Sequence, residues 1–253
     1  MAAGSQVGSP KPASLVVLFD IDGTLVRRAG SAHRDALVAA VREALGVETR
    51  NDNLPLHGML DPDILVRMMA NAGVPRRRAR AALPAIYRSA ERHYVCAARD
   101  LRRKLCPGIR GLLARLESQG AVLGLVTGNL TRIGWKKLER AGLDGFFRFG
   151  VFGEMAPTRI ELTALALRHV RTNGWINGPS ARVLIGDTPN DVEAGRANGL
   201  HTIAVATGIS SLEELRASRP TLCAPDLRHP SVAKWLDSLA AATSLTHYEP
   251  HAF

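Results

Sequence analysis

The chain has 253 residues, of which 46% are hydrophobic and 5% are aromatic, a composition typical of globular proteins rather than disordered or fibrous ones. Lys and Arg outnumber Asp and Glu by 33 to 23, so the formal charge is +10 and a polyanion such as nucleic acid is a candidate partner. No apolar stretch approaches the roughly 18–20 residues that a membrane-spanning helix needs, so we expect no membrane association.

The cysteines and the N-terminal segment indicate the cellular setting. Cys96, Cys106 and Cys223 show neither a Cys-x-x-Cys spacing nor a Cys/His metal pattern, so we do not expect a disulfide framework. Residues 1–14 are rich in Gly, Ser, Ala and Pro and lack the apolar centre of a signal peptide, which predicts a flexible tail. We therefore expect a cytoplasmic protein.

Short apolar segments alternate with amphipathic segments along the chain, a pattern typical of a parallel sheet covered by helices. The predicted strands are Leu15–Phe19, Ala121–Val126, Phe149–Phe152, Val183–Ile185 and His201–Ala206. Apolar residues at spacings of three and four predict helices between the later strands, at Pro107–Gln119, Leu130–Ala141, Arg159–Arg171 and Pro189–Asn198. The predicted fold class is α/β, with a Rossmann-like, doubly wound parallel sheet.

The segment between the first two strands predicts an insertion. It holds about a hundred residues, whereas a crossover between parallel strands needs only about a dozen. Its predicted helices are Ala32–Leu45, Pro62–Ala72 and Arg76–Arg99. Pro84 is expected to kink or divide the last of them. We predict a tail at 1–14, a core formed by residues 15–26 and 106–243, an inserted α-helical cap at 27–105 and a second tail at 244–253.

Polar residues directly follow three of the predicted strands. They are Asp20 and Asp22 after the first strand, Thr127, Gly128 and Asn129 after the second, and Asp187 and Asp191 after the fourth. In open α/β sheets, ligands bind at the carboxyl ends of the strands. The sequence therefore predicts that these groups converge on one side of the sheet.

Three strings carry a resemblance to a known family. FDIDGTL at residues 19–25, VTGN at 126–129 and IGDTPND at 185–191 resemble the first, second and fourth motifs of the haloacid dehalogenase superfamily. The helical insertion resembles the cap of the phosphoglycolate-phosphatase-like branch. The resemblance spans Leu15 to about Asp226 and implies a phosphatase that hydrolyses esters of small phosphorylated metabolites.

The resemblance implies a role for each residue after the first two strands. Asp20 would be the nucleophile that becomes an aspartyl-phosphate, and Asp22 the general acid and then the general base. Thr127, with the backbone around Gly128 and Asn129, would bind the transferring phosphate. An aspartate at position 22 favours phosphate esters over haloacids, because a leaving alkoxide needs a proton.

Mg²⁺ is the implied cofactor. Asp20, the main-chain carbonyl of Asp22 and the side chain of Asp187 would hold the ion, and Asp191 would support these ligands from behind. Hard Mg²⁺ prefers a few carboxylates together with phosphate oxygens and water, which agrees with this set of oxygen donors.

The sequence departs from the family in one motif. The family usually places a lysine at the start of the helix before the last motif, but no lysine lies between Lys137 and Lys234. Arg159 is the predicted substitute, because a guanidinium stays charged and binds carboxylate and phosphate in a bidentate manner. Lys136 and Lys137, in the helix after VTGN, are predicted to be surface residues.

Three residues of the predicted cap are candidates for substrate selection: His33, His57 and Asp61, the last of which stands just before Pro62. For Asp61, capping of the local helix is the expected role.

Two other functions remain open. The resemblance also admits a phosphotransferase of the family's phosphoglucomutase-like branch, which keeps both aspartates of the first motif. The other is a regulatory or binding role on a weakly active scaffold. Of the 33 basic residues, 28 are Arg and no nucleic-acid-binding module accompanies them, so nucleic acid is not favoured. The expected partner is a small phosphorylated substrate; neither its identity nor an oligomeric state follows from these residues.

Overall fold

A six-stranded parallel sheet forms the centre of the computed structural model, which describes residues 13–27, 30–49, 58–176 and 180–245. The strands are β1 Leu15–Phe19, β2 Val122–Val126, β3 Phe149–Val151, β4 Ala181–Gly186, β5 His201–Val205 and β6 Leu222–Ala224. Their order across the sheet is β3-β2-β1-β4-β5-β6. This order reverses direction between β1 and β4, the point at which doubly wound sheets form a ligand-binding crevice.

β1 lies at the middle of the sheet. All five of its residues are apolar and buried, as expected for a parallel strand covered by helices on both faces. Phe19 pairs with Leu125 of β2 on one side and with Ile185 of β4 on the other. This register brings the residues that follow β1, β2 and β4 to the same edge of the sheet.

Three helices are inserted between β1 and β2: α1 Ala32–Leu45, α2 Asp61–Asn71 and α3 Arg76–Ala97. They share an apolar cluster that includes Leu37, Met68 and Ile86 and that also contacts Leu130 and Ile133 of the core. The prediction of an α/β Rossmann-like core with an inserted helical cap is confirmed.

Pro84 does not divide α3, which runs unbroken from Arg76 to Ala97. The missing proline N–H removes only one helical hydrogen bond. On either side of it, Ala79, Ile86 and Ala90 are buried against the rest of the insertion. This burial keeps the two halves in one helix.

The remaining helices cover both faces of the sheet. They are α4 Ile109–Ser118, α5 Thr131–Ala141, α6 Arg159–Thr172, α7 Pro189–Ala197, α8 Leu212–Ala217 and α9 Pro230–Leu245. One apolar core packs α4, α5 and α9 against the sheet, and a second packs α6 and α7 against the other face. Strand β6 and helices α8 and α9 were not predicted. Among the described residues, no helix has both the length and the apolar character needed to span a bilayer.

The two connections between core and insertion run side by side. Val26 forms an antiparallel bridge with Leu105, and the backbone N–H of Arg27 donates to the carbonyl of Lys104 at 2.7 Å. We therefore propose that the cap begins and ends at residues 27 and 105. Of the predicted tails, residues 1–12 and 246–253 lie outside the described residues, whereas Ala13 hydrogen-bonds to Trp175 and α9 continues to Leu245.

Two Gly→Ala substitutions test this packing. A Cβ at Gly124 in β2 would lie 2.4 Å from ring atoms of the buried Phe149, so Gly124→Ala should lower the free energy of unfolding by about 1–3 kcal/mol. Gly111 in α4 has no atom within 4 Å of an added Cβ, so Gly111→Ala should raise it by about 0.5–1 kcal/mol. Urea denaturation measures both; changes of the same sign would contradict the packing described for β2.

Candidate active site

The candidate active site is a cavity of about 230 Å³ between the carboxyl ends of the strands and the inserted helices. The core lines it with Asp20, Asp22, Thr127, Gly128, Asn129, Arg159 and Asp187. The insertion lines it with His33, Arg34, Leu37, Met59, Asp61 and Ile64. The sequence-distant residues singled out after β1, β2 and β4 therefore do converge.

Three buried carboxylates form the centre of the site. One oxygen each of Asp20, Asp187 and Asp191 lies within 4.8 Å of the other two. Burial raises the pKa of Asp20 from 3.8 to about 7, against the opposing effect of Arg159. Burial, with the charges of Asp20 and Asp191, also raises the pKa of Asp187 well above its usual value. The cluster thus holds more negative charge than its surroundings neutralise, which suits a hard divalent cation.

Arg159 is the cation of this cluster. It is the first residue of α6, which begins there because the side chain of Thr158 accepts from the N–H of Glu161. Its buried Nη1 donates to Asp20 at 3.2 Å and to Asp191 at 2.7 Å. Although burial opposes the charged form, the two carboxylates raise the pKa of Arg159, so the guanidinium stays charged.

Asp191 holds Arg159 in place from the start of α7. Its second oxygen accepts from the N–H and the hydroxyl of Thr188 at 3.1 and 2.6 Å, the arrangement of a capping box. Both of its oxygens are therefore engaged within the protein. The helix start at Pro189 fixes this carboxylate, and the carboxylate in turn orients the guanidinium.

The loop after β2 joins the site to both parts of the fold. The Asn129 side-chain Nδ2 donates to the Thr127 hydroxyl at 2.7 Å and to Asp22 at 2.8 Å. A Cβ at Gly128 would lie 2.4 Å from the carbonyl oxygen of Met59, so glycine allows the insertion to approach this loop. The three residues predicted to bind phosphate thus line the cavity beside Asp22.

The prediction that Lys137 lies on the surface is wrong. Only 1% of its side chain is exposed, and its Nζ donates to the two carboxylate oxygens of Asp22 at 2.7 and 2.6 Å. The buried residues of α5 are Ile133, Gly134, Lys137, Leu138 and Ala141, a stripe with helical spacing that includes the lysine. That spacing was the sequence signal for a buried position. Lys136, one residue earlier, instead pairs with Glu139.

The environment of Asp22 favours its charged form. Partial burial acts to raise the pKa of Asp22, but the adjacent ammonium of Lys137 and the hydrogen bonds from Lys137 and Asn129 lower it below the usual value. About 43% of the Asp22 side chain remains exposed to the cavity. The carboxylate is therefore ionised, fixed and accessible.

Asp61 does not cap its own helix. It is the first residue of α2 and is buried, and its Oδ2 accepts from the backbone N–H of Leu130 at 2.8 Å. The same oxygen lies 2.9 Å from His33 Nε2. Its own N–H donates to the carbonyl of Gly128 at 2.8 Å. Asp61 thus connects the insertion to the loop after β2. His57, the other histidine considered for the cap, lies outside the described residues.

Two glycines that sequence reasoning missed contact Asp187. A Cβ at Gly208, after β5, would lie 1.6 Å from Asp187 Oδ2, and one at Gly23 would lie 2.2 Å from the same oxygen. Because Gly23 and Gly208 lack a Cβ, they leave space for the carboxylate of Asp187. Neither glycine follows from strand or helix periodicity, because the two lie in separate turns that meet only in the fold.

The family model for haloacid dehalogenase-like hydrolases matches residues 15–199 of this chain. The chain belongs to the haloacid dehalogenase-like hydrolases. The predictions of this family and of a phosphatase-type hydrolase are confirmed.

Individual relatives agree with this assignment. The phosphoglycolate phosphatase of Nitrosococcus oceani is 28% identical over 216 residues, covering 81% of this chain and 89% of that protein. β-Phosphoglucomutase of Clostridium difficile shares the fold with a TM-score of 0.65 at 14% identity, over 91% of this chain and 98% of that one. A haloacid dehalogenase-like protein of Streptococcus pneumoniae gives a TM-score of 0.59 at 20% identity, over 89% and 99% of the two chains.

The contact between Gly208 and Asp187 predicts a selective effect on cation binding. Gly208→Ala should push the carboxylate aside and weaken the binding of a divalent cation at this cluster about 10-fold to 100-fold, because displaced ligands lose their orientation. Calorimetric titration with Mg²⁺ measures this change. Gly145→Ala, where nothing lies within 4 Å of an added Cβ, is the matched control and should bind as wild type. Equal affinities of the two variants would refute the positioning of Asp187 by Gly208.

Proposed function

We propose that this protein is a Mg²⁺-dependent phosphatase of small phosphorylated metabolites that acts through an aspartyl-phosphate on Asp20. The observation that carries the proposal is the meeting of Asp20, Asp187 and Arg159 in one buried cluster at the end of β1. A phosphate dianion reacts with a carboxylate only where fixed positive charge offsets both. This cluster supplies the carboxylate, the guanidinium and the oxygen donors for a cation.

The donor set fits Mg²⁺. Asp20 and Asp187 would hold the ion through their side chains and Asp22 through its main-chain carbonyl, since Mg²⁺ takes oxygen ligands. Asp191 is engaged by Arg159 and Thr188 and would support the site from behind. Bound Mg²⁺ would offset the negative charge of the carboxylates and of the phosphate during transfer.

The residues would act in two steps. A carboxylate oxygen of Asp20 attacks phosphorus, the P–O bond to the alcohol breaks, and Asp22 gives a proton to the leaving oxygen. Water then attacks the phosphorus of the aspartyl-phosphate while Asp22 takes its proton, which frees Asp20 and phosphate. Because its low pKa keeps Asp22 ionised in the free protein, Asp22 would first take up a proton from water or from a protonated phosphate oxygen of the substrate, and the like charge of the bound phosphate would favour this uptake. Thr127 and Arg159 would hold the phosphate oxygens.

The cavity suggests the substrate class. Its volume of about 230 Å³ fits a small ester, and Arg34 of the insertion is among the residues that line it. A guanidinium there would attract a second anionic group on the substrate. The relatives named phosphoglycolate phosphatases agree with a short ester that also carries a carboxylate. Phosphoglycolate, sugar phosphates and nucleoside monophosphates are therefore the first compounds to assay.

Release of inorganic phosphate with Mg²⁺ tests the proposal. Hydrolysis that stops on removal of Mg²⁺ with a chelator supports it. Isomerisation of a sugar phosphate without phosphate release would indicate a phosphotransferase instead. No turnover of any ester would favour a binding or regulatory role.

Asp20→Asn should lower phosphatase turnover by about 10³-fold or more, because an amide cannot form the covalent intermediate. Turnover at the wild-type rate would contradict the assignment of the nucleophile.

The stability of the same variant as a function of pH is a second test, which does not depend on activity. The raised pKa of Asp20 means that the folded protein binds this proton more readily than the unfolded chain, so stability falls as pH rises from about 4 to about 7. Metal-free Asp20→Asn should therefore be more stable than wild type by about 2 kcal/mol above neutral pH and lose this advantage below about pH 4.

Arg159→Met should lower kcat/KM for phosphate esters by about 10²–10³-fold, because it removes a fixed charge from the transferring phosphate. Arg159→Lys, which restores the family's usual residue type, should retain more activity than Arg159→Met. Steady-state kinetics with Mg²⁺ compare the variants. Equal kcat/KM for Arg159→Met and wild type would show that Arg159 does not serve the phosphate.

A further inference from the structure

The surroundings of Lys137 are unusual for a lysine on a helix that packs against the core. Its Nζ donates to both oxygens of Asp22, to Asn129 Oδ1 at 2.6 Å and to His33 Nδ1 at 3.1 Å. An ammonium has three N–H donors and no acceptor, so the three acceptor groups Asp22, Asn129 and His33 satisfy all of its donors. Its position and its direction are therefore both fixed.

These contacts also fix the state of the neighbouring groups. Because the ammonium can only donate, His33 Nδ1 is the acceptor of this contact, and Nε2 is the ring nitrogen that donates to Asp61 at 2.9 Å. In the same way, the oxygen of the Asn129 amide faces Lys137 and its Nδ2 faces Asp22 and Thr127. One ammonium thus orients a carboxylate, an amide and an imidazole.

Neither substrate binding nor fold stability explains this lysine. With 1% of its side chain exposed, Lys137 lies behind Asp22 and does not reach the cavity. Burying an ammonium costs several kcal/mol, and an apolar residue would suit the stripe of Ile133, Leu138 and Ala141. The exposed partner in the pair is Asp22, which faces the cavity.

We propose that Lys137 is a positioning residue that holds the carboxylate of Asp22 toward the cavity, where it exchanges a proton with the leaving oxygen of the substrate. This inference rests on the proposed function, in which Asp22 is the acid and base. Lys137 itself touches neither substrate nor the reacting atoms. His33 and Asp61 complete the support from the insertion, so Asp22 is oriented from the core and from the cap at once.

A comparison of two leaving groups tests this role. An alkyl phosphate releases a strongly basic alkoxide that needs a proton, whereas 4-nitrophenyl phosphate releases a phenolate that departs without one. Measured with Mg²⁺, Lys137→Met should lower kcat/KM about 10-fold or more for phosphoglycolate or another alkyl ester, because part of the contribution of acid catalysis is lost. For the aryl ester, kcat/KM should fall less than about 2-fold. The parameter is kcat/KM because it covers the step in which the leaving group departs.

Lys136→Met is the matched control. It removes the neighbouring lysine of the same helix, whose Nζ contacts only Glu139 among the described residues. Both esters should react with it as with wild type. Thermal unfolding of each variant reports on the fold. If Lys137→Met does not fold, Lys137→Gln, which keeps an N–H donor, takes its place. The ratio of kcat/KM for the alkyl ester to kcat/KM for the aryl ester is then compared between this variant and wild type.

A double-mutant cycle shows whether Lys137 acts through Asp22. In an Asp22→Asn background, Lys137→Met should cause no further loss with the alkyl ester, since the group that it positions is gone. An equal loss on both esters, or a further loss in that background, would overturn the inference. Failure of the wild type to hydrolyse any ester would instead overturn the proposed function, so the two failures are distinguishable.

Discussion

The charge balance around Asp20 is the constraint on which the site depends. Three carboxylates within 4.8 Å of one another cannot all ionise in a buried place unless cations compensate them. Arg159 supplies one positive charge from the first residue of α6, and the raised pKa values of Asp20 and Asp187 show that this charge alone is insufficient. The deficit explains why a divalent cation fits here. The site lies at the carboxyl ends of the neighbouring strands β1 and β4, where the strand order reverses and where Arg159 meets the three carboxylates.

A second ion pair joins Lys137 and Asp22 within the core, and the contact between Lys137 Nζ and His33 Nδ1 at 3.1 Å connects it to the insertion. Asp61 accepts from Leu130 and contacts His33, while the carbonyl of Met59 approaches Gly128. The insertion therefore contacts the core through the loop after β2, which also lines the cavity. The cap thus completes the cavity, and its helices share one apolar cluster with Leu130 and Ile133 of the core.

Much of the fold follows from local pattern. The bounds of β1 and α1 agree with the predicted residues, because both segments have uninterrupted apolar periodicity and clear ends. Strand β6 was missed because it has only three residues, at the edge of the sheet, and because only Ala224 among them is fully buried, so the segment carries no alternation. Pro84 was expected to kink or divide α3, but neighbouring buried residues outweigh the loss of one hydrogen bond. The predicted site residues do meet in one cavity, since their order on strand ends determines the edge of the sheet that they share.

The sequence by itself determined the α/β class, the helical insertion and the set of acidic and polar groups, because strand-end position is a local property. Arg159 was predicted as the cation of the site, but only the tertiary structure decided that it also pairs with Asp191 and that Lys137 pairs with Asp22. Arg159 reaches Asp20 across 139 positions of chain, and Lys137 reaches Asp22 across 115. The direction in which a long cationic side chain points depends on the packing of the helix that carries it. A lysine that resembles a surface residue in sequence therefore became, in the fold, the buried partner of an acidic group in the candidate active site.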